Sequence, residues 1–229
     1  MKTSHPKKTK TMSEELETLD PELKALLANL HLLTENQKNV ILADLSRKEQ
    51  MLEKQIARDT FMGFVNKCWP TFISGRHHKI MAKAFERVAS GECKRLIINM
   101  PPRHTKSEFA SYLLPAWFLG RFPNKKVIQS SNTAELATGF GRKVRNLVDS
   151  EAYRELFPAL ELRADSKAAG RWNTSKGGDY FAIGVGGTVT GKGADLLIID
   201  DPHSEQEAAL AASNPDVFDK VYEWYTSGP

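Results

Sequence analysis

Between Lys94 and Asp201, short apolar runs alternate with longer stretches of helical periodicity, and this alternation constrains the fold more than any other feature. The runs are Lys94–Met100 (KRLIINM), Lys126–Ser131 (KVIQSS), Tyr180–Val185 and Leu196–Asp200. Runs of this kind read as buried strands, and the helices between them as the crossovers of a parallel sheet covered on both faces. Helices are expected over Arg76–Ser90, ended by Gly91, and over Lys106 to about Leu119, bent at Pro115. Two more are expected over Thr133–Ser150 and over Ser204 to about Tyr225, the latter broken near Asn214-Pro215. Phe61–Ile73 reads as aromatic and turn-prone. The chain shows no internal repeat.

The first part of the chain has another character. Ser13 reads as an N-cap, followed by Leu16, Leu19, Leu23, Leu26, Leu27 and Leu30 at one-face spacing. A second helix is expected after Thr34 to about Asp59, carrying Val40, Ile41, Leu45, Leu52 and Ile56 opposite a face of mixed charge. Residues 13–60 thus form a helical arm, read either as a spacer or as a docking arm. Of 32 Lys and Arg, four (Lys2, Lys7, Lys8 and Lys10) lie in residues 1–12, and the 28 left equal the 28 acids. The basic excess therefore belongs to a disordered tail and not to a globally basic DNA-binding surface. Such a tail is either a solvated leader or a weak, salt-dependent holder of phosphates. No apolar run is long enough to cross a membrane, and the lysine-rich start is no secretory signal. Cys68 and Cys93 make neither a disulfide framework nor a zinc site and read as reduced thiols.

The chemistry concentrates in two motifs. Met100-Pro-Pro-Arg-His-Thr-Lys-Ser107 joins a strand to a helix, with Lys106-Ser107 where a phosphate-binding P-loop ends. Such a loop uses free amides at a helix N-terminus for phosphate oxygens, a lysine for the β/γ-phosphates and a hydroxyl for Mg²⁺. Met100 and Thr105 stand in the two glycine positions, and Pro101 and Pro102 remove two amide donors. Binding therefore falls to Arg103, His104, Thr105, Lys106 and Ser107, with Arg103 and His104 supplying charge. The second motif, Leu196–Asp201 (LLIIDD), is an apolar strand ending in two acids, the form of a Walker B strand. Asp200 is expected to hold Mg²⁺ together with Ser107, and Asp201 to orient and deprotonate the attacking water. Lys106 and Asp200 stand 94 positions apart, which leaves room for further β and α elements between them.

With these residues in place, RLIINMPPRHTKSEFASYLLPAW and GRWNTSKGGDYFAIGVGGTVTGKGADLLIIDDPHSEQEA resemble the ATPase part of the large terminase subunit, the DNA-packaging motor of tailed bacteriophages. The resemblance spans roughly Phe72 to Pro229 and implies an α/β fold of the ASCE P-loop type, a mostly parallel sheet flanked by helices, over residues 61–229. It implies ATP and Mg²⁺ as ligands, with Lys106, Asp201 and Arg103 catalytic and Asp200 the Walker B acid. It also implies double-stranded DNA, a small terminase subunit and a portal on the procapsid as partners, with the subunits forming a ring. The place of action would be the host cytoplasm, transiently at the portal, with no membrane. Asp201 stands where many terminases have glutamate, one methylene longer. Against the family pattern this chain ends before a further core strand and before the nuclease domain. The expectation is therefore a fragment with weak or absent isolated ATPase activity and no nuclease metal site.

Other features admit two readings each. Gly186–Gly193 is a second phosphate-facing loop or a turn for close strand packing. Lys192, Arg171 and Arg142 are arginine-finger-type residues acting on a neighbour's ATP, or surface salt-bridge partners. His77-His78 lies near the adenine or is a solvated helix start. Trp69, Trp117, Trp172 and Trp224 read as core aromatics. Two other functions share the motifs: a helicase-like nucleic-acid translocase, and a degenerate nucleotide-binding assembly protein that does not hydrolyse.

Overall fold

The structure, a computed structural model, describes residues 21–189 and 191–227. The tail over residues 1–12 and the Ser13 cap lie outside them. The chain divides into two compact units, residues 1–52 and 53–229.

The described part of the first unit holds α1 (Pro21–Ala28), a 3₁₀ turn (Leu30–Leu32) and most of α2 (Glu35–Asp59). α2 begins and ends where the sequence places it. A reciprocal cap starts it: the Thr34 N–H donates to Gln37 Oε1 at 2.9 Å, and the Gln37 N–H to Thr34 Oγ1 at 3.4 Å. Val40, Leu42 and Met51 on this helix are exposed.

The second unit opens with a correction. The turn-prone reading of Phe61–Ile73 gives way to a helix, α3 (Phe61–Cys68), because Thr60 caps it by accepting the Gly63 N–H at 3.1 Å. α3 buries Phe61, Phe64 and Val65. Phe61 is the hub of an aromatic cluster, edge-on to Phe85, Phe109 and Trp117 with centroids at 5.1, 5.5 and 5.6 Å. Phe85 comes from α4 (Arg76–Ala89), after which Gly91 turns the chain at φ +80°.

Lys94–Met100 is not a strand. It pairs with no strand among the described residues, and Ile97 is 86% exposed, so the expected burial also fails. Ile98 and Met100 still pack against the core. Its β-branched composition marks it as extended, but strand status requires a hydrogen-bonded neighbour.

The helix after the loop runs as expected but is not regular. Glu108–Leu113 is π-helical and leads into α5 (Leu114–Arg121). The Leu114 N–H reaches back five residues to Phe109 O. Pro115 has no N–H to donate and its ring crowds the preceding turn, and a widened turn accommodates both.

Five strands form one mixed sheet in the order β2-β3-β4-β1-β5: β1 (Lys126–Ser131), β2 (Leu162–Lys167), β3 (Arg171–Thr174), β4 (Asp179–Gly184) and β5 (Leu196–Asp200). β4, β1 and β5 are parallel, as the apolar runs imply. β2 and β3 were not foreseen and run antiparallel, so the sheet is mixed. β2 carries Arg163, Asp165 and Ser166 and shows no apolar run; its place comes from the ladder with β3. Trp172 of β3 is buried, stacked on Tyr180 at 4.9 Å with 4° between the rings.

α6 (Ala134–Val148), capped by Thr133, packs on the sheet so closely that Gly141 is needed: an added Cβ would lie 2.5 Å from Ala169 O and 3.1 Å from Tyr180 Cε1. α7 (Glu151–Leu156) follows, and α8 (Glu205–Leu210) and α9 (Asp219–Ser227) close the unit, separated at Asn214-Pro215 as expected. Cover of the sheet is uneven: Phe181, Ile183, Leu197 and Ile199, on the face away from α6, are only half-buried. Trp117 and Trp172 are core residues, while Trp69 and Trp224 are half-buried.

Candidate functional site

The parallel strands end together. Ser131, Gly184 and Asp200 are register partners at the carboxyl edge of β1, β4 and β5. In open α/β sheets this edge is where ligands bind. Asp200 is 8% exposed and accepts a hydrogen bond at Oδ2 from Ser111 Oγ at 2.8 Å. Its other oxygen, Oδ1, lies 3.6 Å from Lys106 Nζ. Lys106 also pairs directly with Asp201, whose side chain is 71% exposed.

Thus the two motifs, 95 residues apart, meet through one ammonium between two carboxylates. Burial by itself pulls the Lys106 ammonium down. The hydrogen bond and charge of Asp201, then the charge of Asp200, outweigh this and hold it above the usual lysine value.

The loop before Lys106 carries strain. Arg103 and Thr105 have φ +62° and +61°, the left-handed region that favours glycine, and Asp201 has φ +43°. For a β-branched residue such as Thr105 this is a true outlier, costing on the order of 1–3 kcal/mol. The chain therefore bends as a glycine-bearing loop would, with a threonine in the glycine position.

His78 holds that threonine. It is buried, 6% exposed, and its ring packs on Phe72 and Phe109 at 4.7 and 5.0 Å. The Gly75 N–H donates to His78 Nδ1 at 2.8 Å, which leaves the proton on Nε2. Nε2–H then donates to Thr105 Oγ1 at 2.6 Å, and Thr105 Oγ1 donates to His104 O at 2.6 Å. Burial, then the neighbouring His77 and His104, push the His78 pKa below its ordinary value. The solvated helix-start reading of His78 is therefore corrected.

The remaining loop residues are open to solvent. Arg103 is exposed, and its guanidinium has no partner among the described residues. His104 is exposed and donates from Nδ1 to Pro102 O at 2.9 Å. Ser107 is half-buried and its hydroxyl makes no hydrogen bond among the described residues. The bond to the buried acid comes instead from Ser111, four positions on, a residue the sequence reading missed although helical spacing from Ser107 points to it.

Asn132, just past β1, was missed as well. Its Nδ2 donates to Pro202 O and to Glu207 Oε2, both at 3.2 Å, tying the segment after Asp201 to the strand end. Glu207 completes a capping box with Ser204, and those hydrogen bonds lower its pKa.

The other basic residues are not brought to this loop. Lys192 Nζ lies 3.2 Å from the centroid of the Phe181 ring, and Arg171 reaches the same ring at 6.0 Å. Burial, then the charge of Arg171, lower the Lys192 pKa. Arg142 is exposed on α6. None of the three forms an ion pair among the described residues, so the salt-bridge reading is replaced, for two of them, by contact with an aromatic face. Within Gly186–Gly193, whose residue 190 lies outside the described residues, Gly186 and Gly191 sit at φ +80° and +79°, and Gly187 O accepts from Trp224 Nε1 at 2.9 Å.

An open hollow of about 450 Å³ lies apart, lined by Tyr112, Lys143, Asn146, Leu147 and Ser150, and holds none of these groups. Among the described residues, no cluster of three or more His, Cys, Asp or Glu is able to hold a metal ion, and no helix is long and apolar enough to cross a membrane. Comparison with protein-family models, curated proteins and solved structures finds no match to this chain.

Proposed function

We propose that the chain is an ATP-hydrolysing subunit of a large-terminase-type motor, built on an ASCE P-loop fold, that drives double-stranded DNA into a procapsid. One observation carries the reading: Lys106 stands between Asp200 and Asp201 at the carboxyl edge of the parallel strands. A lysine so placed is already where negatively charged phosphates would replace Asp201 as its partner. A portal, a small terminase subunit and a ring of like subunits follow from the terminase resemblance.

The residues present fit Mg-ATP. Asp200 and Ser107 offer only oxygen donors, and Mg²⁺ is commonly held by one or two carboxylates with phosphates and waters, not by a closed protein cage. Asp200 Oδ2 is fixed by Ser111, which leaves Oδ1 to face the ligand. When bound, Mg²⁺ neutralises charge on the phosphate oxygens. With the nucleotide bound, Lys106 would exchange Asp201 for the β/γ-phosphates and the exposed Arg103 would add positive charge. Asp201, freed from the ion pair, would orient a water and take its proton.

The test is thermal unfolding with and without Mg-ATP, beside Lys106→Ala. A ligand at 100 times its Kd stabilises by about 2.7 kcal/mol. A shift confined to the wild type, with ATP turnover, supports the reading, and no shift removes it. A second, non-hydrolysing reading is favoured by Asp201 being an aspartate already engaged by Lys106. Turnover that Asp201→Asn abolishes argues against that alternative. Stimulation by duplex DNA without strand separation distinguishes packaging from a helicase-like translocase.

A further inference from the structure

We propose that His78 is a positioning residue for the phosphate loop, holding Thr105 in the left-handed conformation that a glycine would adopt unaided. The inference rests on the ATPase reading and extends it to how this loop is kept competent to bind phosphate.

Three observations combine. Thr105 sits at φ +61° immediately before Lys106, so its conformation sets where the Lys106 and Ser107 amides point. A β-branched residue leaves this region unless its surroundings hold it there. The hold is a continuous chain of hydrogen bonds, from the Gly75 N–H through His78 to Thr105 Oγ1 and on to His104 O.

The geometry of His78 suits that role. It occupies the third position of α4, where its Nδ1 also satisfies the backbone N–H at the helix start. That bond fixes the tautomer, so Nε2 always presents a donor to Thr105. Packing against Phe72 and Phe109 locks the ring, and Phe109 is on the helix that begins at Lys106. The loop is therefore braced from α4 and from its own helix. Glycine would need no such brace, since it visits positive φ without steric cost. In this chain a buried histidine and a threonine hydroxyl together replace the missing glycine.

The test uses the purified 229-residue chain, with Mg-ATP and Mg-pyrophosphate binding followed by calorimetry. His78→Phe keeps a packed ring and removes the donor. It is expected to weaken both ligands by about ten-fold, the factor that corresponds to about 1.4 kcal/mol. His78→Gln, which restores an N–H near the Nε2 position, is expected to recover most of the loss. Thr105→Val removes the hydroxyl from the loop without touching the core and is expected to match His78→Phe, so an unfolded His78 variant leaves the question answerable.

The decisive comparison places His78→Phe on a Thr105→Gly background. If His78 acts through the threonine, the further loss there is within about two-fold, a coupling that a double-mutant cycle reads directly. An equal loss in both backgrounds reduces His78 to a general scaffold residue, and unchanged affinity in both His78→Phe and Thr105→Val overturns the proposal outright. Wild-type protein that binds neither ligand brings down the ATPase reading and this inference with it.

Discussion

The most informative single residue is Lys106, because its ammonium joins the loop to both acids of the second motif. Lys106→Ala is expected to abolish any Mg-ATP-induced thermal shift and any ATP turnover. Ser111→Ala tests the neighbouring contact. It leaves a buried carboxylate without its donor, and bonds to charged groups are worth about 1.5–3 kcal/mol. A loss in that range by urea unfolding is expected, together with lower turnover, because Asp200 is then free to rotate. His78 gives a pH prediction. Its folded pKa is depressed, so the fold favours the neutral ring, and this contribution is complete above the ordinary value of 6.5 and is lost as pH falls through the lower, folded value. The groups facing it are His77, His104, Thr105 and the rings of Phe72 and Phe109; none is acidic, so nothing rescues the protonated form. Thermal stability of the wild type should fall with acidification below 6.5, and more steeply than that of His78→Gln. Equal slopes would remove His78 as the titrating group. At this scale the sequence marked Lys106, Ser107, Asp200 and Asp201 by motif, yet it was silent on Ser111 and offered His78 only as a residue near the adenine or a solvated helix start, not as a partner of Thr105. Their importance comes from what lies opposite them in space.

Among the elements, α6 offers a paired test of sheet packing. Gly141 and Gly139 lie in the same helix, yet a Cβ at Gly141 would meet Ala169 O at 2.5 Å, whereas one at Gly139 meets nothing within 4 Å. Gly141→Ala is expected to destabilise by about 1–3 kcal/mol through overpacking. Gly139→Ala is expected to stabilise by roughly 0.5–1 kcal/mol, since alanine loses less backbone freedom in a helix. Chemical denaturation of the two variants decides it; the same sign for both would mean that α6 does not sit as described. The π segment Glu108–Leu113 belongs to this scale too. Pro115 was readable as a disturbance of its helix, but not as a widened turn, because a bend and a π turn both relieve the same missing N–H and ring crowding. The capped starts of α2, α6 and α8, at Thr34, Thr133 and Ser204, were legible within one or two residues. A cap is a contact between residues three apart and needs no tertiary partner.

At the scale of the whole molecule, the aromatic cluster around Phe61 joins α3, α4 and the helix after the loop into one core. Phe61→Ala is expected to cost about 3–5 kcal/mol in global stability, measured by denaturant unfolding, as for other large aromatic truncations in cores. The sheet shows where sequence reading reached and where it stopped. KVIQSS and LLIID declared themselves as strands because they are apolar, short and bounded, and they pair as parallel neighbours. KRLIINM carries the same local signal but remains unpaired, and the polar β2 is a strand without that signal. A strand is a relation between two segments, and composition describes only one of them. By itself, then, the sequence determined the starts of α2, α4, α6 and α8, the segments that become β1, β4 and β5, the loop before Lys106 and the two acids, all of which depend on neighbours within a few residues. Tertiary structure alone decided the antiparallel pair, the unpaired fate of Lys94–Met100, and the bonds joining His78 to Thr105, Ser111 to Asp200 and Lys106 to Asp201. Those partners stand 27, 89 and 95 residues apart, and only the folded backbone brings them within hydrogen-bonding distance.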